Sequence, residues 1–136
     1  IDMFNIIRTR DRNKCALIGD KNNVEKTVYY EHNFSAVNSL ILTEGLKKVL
    51  KKKMKMFSKT FENLVDHNFD FLNIDLEGHD YEVLKNIDLH KYKPKLICIE
   101  ILENSEDKEK IFFYMRKNAF KLKKICKVSY FFENTN

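Results

Sequence analysis

Residues 71–102 read FLNIDLEGHDYEVLKNIDLHKYKPKLICIEIL and contain the clearest secondary-structure pattern of the 136-residue chain. Segment 95–102 is largely apolar and predicts a central strand that is buried on both faces, as in a parallel sheet. Segment 69–76 predicts a second strand, and the apolar side chains at helical spacing over 81–87 predict a helix after it. Strands that alternate with helices predict an α/β domain with a mostly parallel sheet.

The rest of the chain extends this alternation. We predict, in chain order, the tail of a helix at 1–12, strands at 15–18 and 26–31, a loop at 32–39, a helix at 42–53, an edge strand at 53–58, a short helix capped by Thr60, a helix capped by Ser105, and strands at 120–126 and 128–133. The last two strands are expected to pair antiparallel. No repeat, linker or low-complexity tract divides the chain, which indicates one domain or part of one.

Composition restricts the possible ligands. The glycines, Gly19, Gly45 and Gly78, are too far apart for a G-x-G-x-x-G turn or a P-loop. The formal net charge is +5, but 21 of the 25 basic residues are Lys and 4 are Arg. Because Arg is suited to bidentate contacts with phosphate and guanine, this bias argues against a nucleic-acid partner.

The cysteines and the first residues indicate a compartment. Cys15, Cys98 and Cys126 are far apart, and no His or Cys spacing is typical of a metal site, so we predict no metal. Cys98 lies in the apolar strand and is expected to act as a small buried hydrophobe. Reduced thiols, with no signal peptide and no apolar run of about 18 residues, predict a cytoplasmic protein without a membrane partner. A chain that begins with Ile1 instead of Met is expected to be a piece of a longer protein.

A polar cluster follows the strand at 69–76, at the end where open α/β sheets bind ligands. Asp75 and Glu77 are two residues apart on an extended segment and therefore point to the same side. His79 comes next, so two carboxylates and an imidazole could take a proton from a hydroxyl. The structural alternative is that Asp80 caps the following helix, Glu77 interacts with the helix dipole, and His79 is a solvated surface residue.

Residues 71–87 and 92–100 resemble the FkbM-type methyltransferase family. That family carries an I-D-x-E-G-H/x-E-x-x-V-L-K-G segment followed by a K-Y-x-P-K-x-I-x-I-E strand, and weaker similarity extends over most of the chain. The chain departs from the family pattern at Asp80, where Glu is usual, at Asn86, where Gly is usual, and at Phe61, where Leu is usual. None of these changes removes a proposed chemical group.

The resemblance implies a Rossmann-like class I methyltransferase fold that binds S-adenosylmethionine and methylates a hydroxyl oxygen of a sugar or metabolite. It covers only the later part of the family's domain, because the N-terminal strands with the glycine-rich cofactor motif are missing. Residues 1–136 are therefore expected to form a partial methyltransferase domain that is inactive by itself. On this hypothesis Asp75 or His79 is the catalytic base, and Glu77 orients the acceptor.

The same resemblance suggests further contacts. Gly19 and Asp20 lie where such folds approach the adenine, although a plain turn explains them equally well. Ser35, Asn38 and Ser39 are candidate contacts to a small-molecule or glycan acceptor, and ordinary loop polarity is the alternative.

Two other functions stay open from the sequence. The first is a non-catalytic basic α/β module that binds RNA or an acidic partner through Lys47–Lys55, a stretch that also fits a solvated face. The second is a degenerate methyltransferase with a scaffold role. The sequence predicts no particular acceptor or oligomeric state.

Overall fold

The computed structural model describes residues 2–32 and 38–136, whose strands form two four-stranded sheets. The strands are β1 (Leu17–Ile18), β2 (Glu25–Tyr30), β3 (Asn38–Ser39), β4 (Lys52–Lys59), β5 (Phe71–Ile74), β6 (Leu96–Glu100), β7 (Phe120–Cys126) and β8 (Ser129–Asn134). The helices are α1 (Asp2–Ile7), α2 (Phe61–Leu64), α3 (Asp80–Leu84), α4 (Leu89–Tyr92) and α5 (Lys108–Lys117), with a 3-10 turn at Leu46–Lys48. The predicted α/β class is confirmed.

The C-terminal sheet has the strand order β5-β6-β8-β7. Strand β5 pairs parallel with β6, and β8 pairs antiparallel with both β6 and β7. The predicted antiparallel pair at the C-terminus is therefore confirmed. Ile97, Cys98 and Ile99 of β6 are all buried, as the apolar run indicates for a central strand, and Cys98 is the small buried residue that the sequence predicts.

The N-terminal sheet has the strand order β1-β4-β2-β3. Strand β1 is parallel to β4, whereas β2 is antiparallel to both β4 and β3. Four of the six strand pairings among the described residues are thus antiparallel, and both sheets are mixed, so the expected mostly parallel sheet does not form there. An apolar run indicates that a strand is covered on both faces, but it does not predict whether the neighbouring strands are parallel or antiparallel.

The predicted helix at 42–53 is wrong. Only Leu46–Lys48 forms a helical turn, and β4 begins at Lys52. Residues 52–57 of β4 pair with β2 instead of forming a helix. The alternation of Lys and Met along β4 has a period of two, which suits a strand, because successive side chains of a strand point to opposite faces. Strand β4 is also not an edge along its whole length, since β1 pairs with its last residues, Ser58 and Lys59.

The core is built on the C-terminal sheet. Its most deeply buried side chains come from β6, β8, α3 and α5 and the segment after α3, and they include Leu84, Ile87, Ile97, Ile99, Met115 and Phe132. Helix α5 contributes the buried residues Ile111 and Met115 to this core. This packing fixes the two ends of the connection between β5 and α3, where the polar cluster lies.

Three aromatic rings attach α2 to α4 and to the segment just before β5. The ring centroids of Phe61, Phe69 and Tyr92 are 5.3–5.9 Å apart. The Tyr92 hydroxyl also donates a hydrogen bond to the Val65 carbonyl at 3.0 Å, which satisfies the buried phenol. Thr60 occupies the N-cap position of α2, but its side chain makes no capping hydrogen bond.

Helix α4 provides a test of the fold. The Asp88 carboxylate accepts hydrogen bonds from the backbone N–H groups of His90 and Lys91, both at 3.0 Å. Asp88→Ala removes both bonds, so we expect the free energy of unfolding, measured by urea denaturation, to fall by about 1 kcal/mol. Thr60→Ala is the matched control and is expected to change it by less than about 0.5 kcal/mol. If both variants lost the same free energy of unfolding, Asp88 would not be the stabilising N-cap of α4.

Candidate functional site

A cavity of about 550 Å³ is lined by residues of the N-terminal sheet and its loops, by the connection between β5 and α3, and by Val83 of α3. Its apolar wall comes from the N-terminal sheet and includes Leu17, Ile18, Val28, Met54 and Met56. In the register of β2 and β4, Val28 lies opposite Met54, so these side chains share one face of the sheet. Its polar wall is the turn between β5 and α3. This volume falls within the range of about 300–1,000 Å³ that small-molecule sites occupy.

Most of the residues predicted for catalysis and acceptor binding meet at this cavity. Those that line it are Asp75, Glu77, His79, Asn38 and Ser39. Ser35 lies outside the described residues. The Ser39 hydroxyl already makes two local hydrogen bonds. It donates to the Ile41 carbonyl at 2.9 Å and accepts from the Ile41 N–H at 3.1 Å.

The predicted cofactor residues, Gly19 and Asp20, do not line the cavity, although Leu17 and Ile18 just before them do. Gly19 packs against β4. Its N–H donates to the Lys59 carbonyl at 3.0 Å, and a Cβ at this position would lie 3.0 Å from the Cβ of Ser58. Close approach of two backbone segments therefore accounts for this glycine.

The turn that carries the acidic residues has an uncommon backbone. Glu77 has a φ of +50° and Gly78 a φ of +92°. The left-handed conformation costs an L-residue such as Glu about 1–2 kcal/mol, whereas glycine adopts it readily. Such strain is concentrated at functional sites, where the surrounding structure holds it in place.

Asp80 does not cap the amides of its own helix. Its two carboxylate oxygens instead accept hydrogen bonds from the preceding turn, one from the Leu76 N–H at 3.0 Å and one from the Gly78 N–H at 3.1 Å. The residue is only 6% exposed. A carboxylate this deeply buried is stable because both oxygens have donors.

His79 is not a solvated surface residue. Its Nε2 is buried and has no hydrogen-bond partner in the part of the chain that the structure describes. A buried polar atom without a partner costs about 1–3 kcal/mol. His79 also lines the cavity, although its Nε2 is buried beneath the cavity surface.

Sequence reasoning missed a group beside this site, Glu100, which interacts with Asp75 but does not line the cavity. Ile74 of β5 pairs with Ile99 of β6, so Asp75 and Glu100 leave neighbouring parallel strands at the same end. Burial is the main cause that raises the pKa of Glu100, followed by the negative charges of Asp75, Glu77 and Asp80 and a side-chain hydrogen bond with Asp75. The sequence could have indicated Glu100, because this residue stands at the end of the next predicted strand. Within residues 2–32 and 38–136, no group of three or more His, Cys, Asp or Glu residues is arranged to hold a metal ion.

No lysine of the segment Lys47–Lys55 lines the cavity, although Met54 of the same segment does. Lys47 pairs with Glu44, and Lys55 pairs with Glu25 at 2.8 Å. These side chains are well exposed, and ion pairs of this kind contribute about 0–1 kcal/mol. These ion pairs are as expected for a solvated face and do not favour a binding surface for RNA or an acidic partner at Lys47–Lys55.

Together, these features define an α/β domain with an acidic, histidine-containing turn facing a cavity of small-molecule size. Residues 7–122 match the family model of the methyltransferase FkbM domain, so the chain belongs to this family and the resemblance is confirmed. The match supports methyl transfer as the activity at the level of the family. No curated protein and no solved structure is significantly similar to the chain. No helix of the described ranges is long and apolar enough to cross a membrane.

The raised pKa of Glu100 predicts how stability depends on pH. As the pH falls, the folded protein binds a proton at Glu100 before the unfolded chain does, so this group destabilises the fold above its raised pKa. The penalty disappears as the pH falls through the ordinary value of 4.5. Glu100→Gln is therefore expected to be more stable than the parent at pH 7 and equal to it below that value, as measured by urea denaturation. Glu103→Gln, at an exposed position, is the control and should follow the parent, and a loss of stability of Glu100→Gln at pH 7 would disprove the prediction.

Proposed function

We propose that the intact protein transfers a methyl group from S-adenosylmethionine to a hydroxyl oxygen of a small-molecule or glycan acceptor. The observation that carries this proposal is that Asp75, Glu77 and His79 line one cavity in a chain of the FkbM methyltransferase family. Residues 1–136 would then form the later part of the domain. The glycine-rich cofactor motif would come from another part of the protein.

The residues of the cavity fit S-adenosylmethionine. The carboxylates of Asp75 and Glu77 complement a ligand with a positive sulfonium and a positive ammonium group. The flexible side chains of Met54 and Met56 can pack against a flat purine ring. When bound, the cofactor supplies an electrophilic methyl group. Gly19 and Asp20, which directly follow the cavity-lining Ile18, stay a prediction for cofactor contact.

The chain's own residues would position the acceptor and remove its proton. In this proposal the Asp75 carboxylate, or the imidazole of His79, accepts the proton of the acceptor hydroxyl. Glu77 and Asn38 orient the acceptor from two sides of the cavity. Proton removal of this kind contributes about 10²–10⁴ in rate, and in-line positioning supplies much of the rest.

The role of Asp75 can be tested in the intact protein. With S-adenosylmethionine and a panel of monosaccharide and polyol acceptors, Asp75→Asn is expected to lower the formation of S-adenosylhomocysteine by about 10²–10⁴, because the amide cannot act as a base. A decrease of less than about threefold would exclude Asp75 as the base. Asp70→Asn is the matched control. Asp70 lies just before β5, at the opposite end of the strand from the cavity, and pairs with Lys95 at 3.1 Å.

Binding in the cavity can be measured without activity, because the exposed thiol of Cys15 lines it. In the intact protein, S-adenosylhomocysteine at ten times its Kd should slow alkylation of Cys15 by iodoacetamide by about tenfold. Cys126, which is also exposed but does not line the cavity, is the internal control. Equal rates at Cys15 with and without S-adenosylhomocysteine would contradict cofactor binding at this site.

A further inference from the structure

Three hydrogen bonds close the turn between β5 and α3 within residues 75–80. One joins the His79 N–H to the Leu76 carbonyl at 3.2 Å. Asp80 accepts the other two, at 3.0 and 3.1 Å. A single buried side chain therefore makes most of the contacts that hold the turn in its strained conformation.

The two donors identify which parts of the backbone Asp80 restrains. The Leu76 N–H belongs to the peptide unit that follows Asp75, and the Gly78 N–H belongs to the peptide unit that follows Glu77. Each oxygen of Asp80 thus fixes one of these peptide units. Since side-chain direction follows backbone conformation, the Asp80 carboxylate sets the direction in which both acidic side chains leave the turn.

The chemistry requires a carboxylate at this position. Both atoms that face the turn must be hydrogen-bond acceptors, because both partners are N–H donors. An Asn side chain of the same shape has one carbonyl oxygen and one NH₂ group, so it can satisfy only one of these donors. Hydrogen bonds to a charged acceptor are also stronger than neutral ones.

We propose that Asp80 is a positioning residue, whose buried carboxylate holds the turn so that Asp75 and Glu77 are directed into the cavity. Asp80 does not line the cavity itself and acts through the backbone of the two residues that do. This inference rests on the proposed methyl transfer for its effect on rate, but its effect on the backbone is independent of any substrate.

The backbone effect is tested by amide hydrogen exchange in the intact protein. Asp80→Ala is expected to speed exchange at the N–H groups of both Leu76 and Gly78 by about 10- to 100-fold, and Asp80→Asn at one of them. Exchange at Ile97 in the core should stay slow. Glu82→Gln is the matched control, since Glu82 is an exposed carboxylate of the same helix that pairs with Lys85 at 2.8 Å. Unchanged exchange at both turn amides in Asp80→Asn would overturn the proposal, and this variant decides if Asp80→Ala does not fold.

The effect on catalysis is tested with S-adenosylmethionine and the best acceptor of the monosaccharide and polyol panel. Asp80→Asn should lower kcat by about 10- to 100-fold, because misplacing a catalytic group has effects of this size. Asp80→Glu keeps two acceptor oxygens and should recover most of the kcat. Faster exchange at the turn amides with an unchanged kcat would overturn the positioning role alone. Absence of methyl transfer by the parent protein would overturn the proposed function and, with it, the catalytic part of this proposal.

Discussion

Strand β6 is buried on both faces, and the position of each group of the candidate site depends on this burial. Ile97 and Ile99 are fully buried, with β5 parallel on one side and β8 antiparallel on the other. Because a shift of one residue would move Ile97 and Ile99 to the opposite face of the sheet, the register with β5 is strongly determined. That register brings Asp75 and Glu100 to the same end of the sheet. Burial at this position is the main cause that raises the pKa of Glu100, and the negative charges of Asp75, Glu77 and Asp80 raise it further.

The cavity combines two kinds of structure. Its polar wall is a local feature, in which the turn after β5 is closed by the residue that begins α3. Its apolar wall is formed at long range by β2 and β4, whose alternating side chains place Met54 and Met56 on one face. This division suits a methyltransferase, because the residues proposed for proton transfer stand on a restrained turn. The flexible methionines can adapt to the shape of the bound molecule.

The site also carries features that reduce stability. Glu77 adopts a left-handed conformation, and His79 keeps a buried nitrogen without a partner among the described residues. Each of these costs free energy. Both residues lie in the turn after β5 and line the cavity.

The sequence by itself determined the elements whose pattern is local. Apolar runs and helical spacing correctly predict β5, β6, α5 and the final strand pair, and the motif around Gly78 indicates the family. The tertiary structure alone decided what depends on contacts between distant segments. It makes the sheets mixed, forms a strand at 52–59 where a helix was expected, separates Gly19 from the cavity, and turns the Asp80 carboxylate back to the amides of Leu76 and Gly78. The physical reason is that the periodicity of apolar residues indicates only which side of a segment is buried. Strand direction and hydrogen-bond partners depend on the distant segment that packs against it.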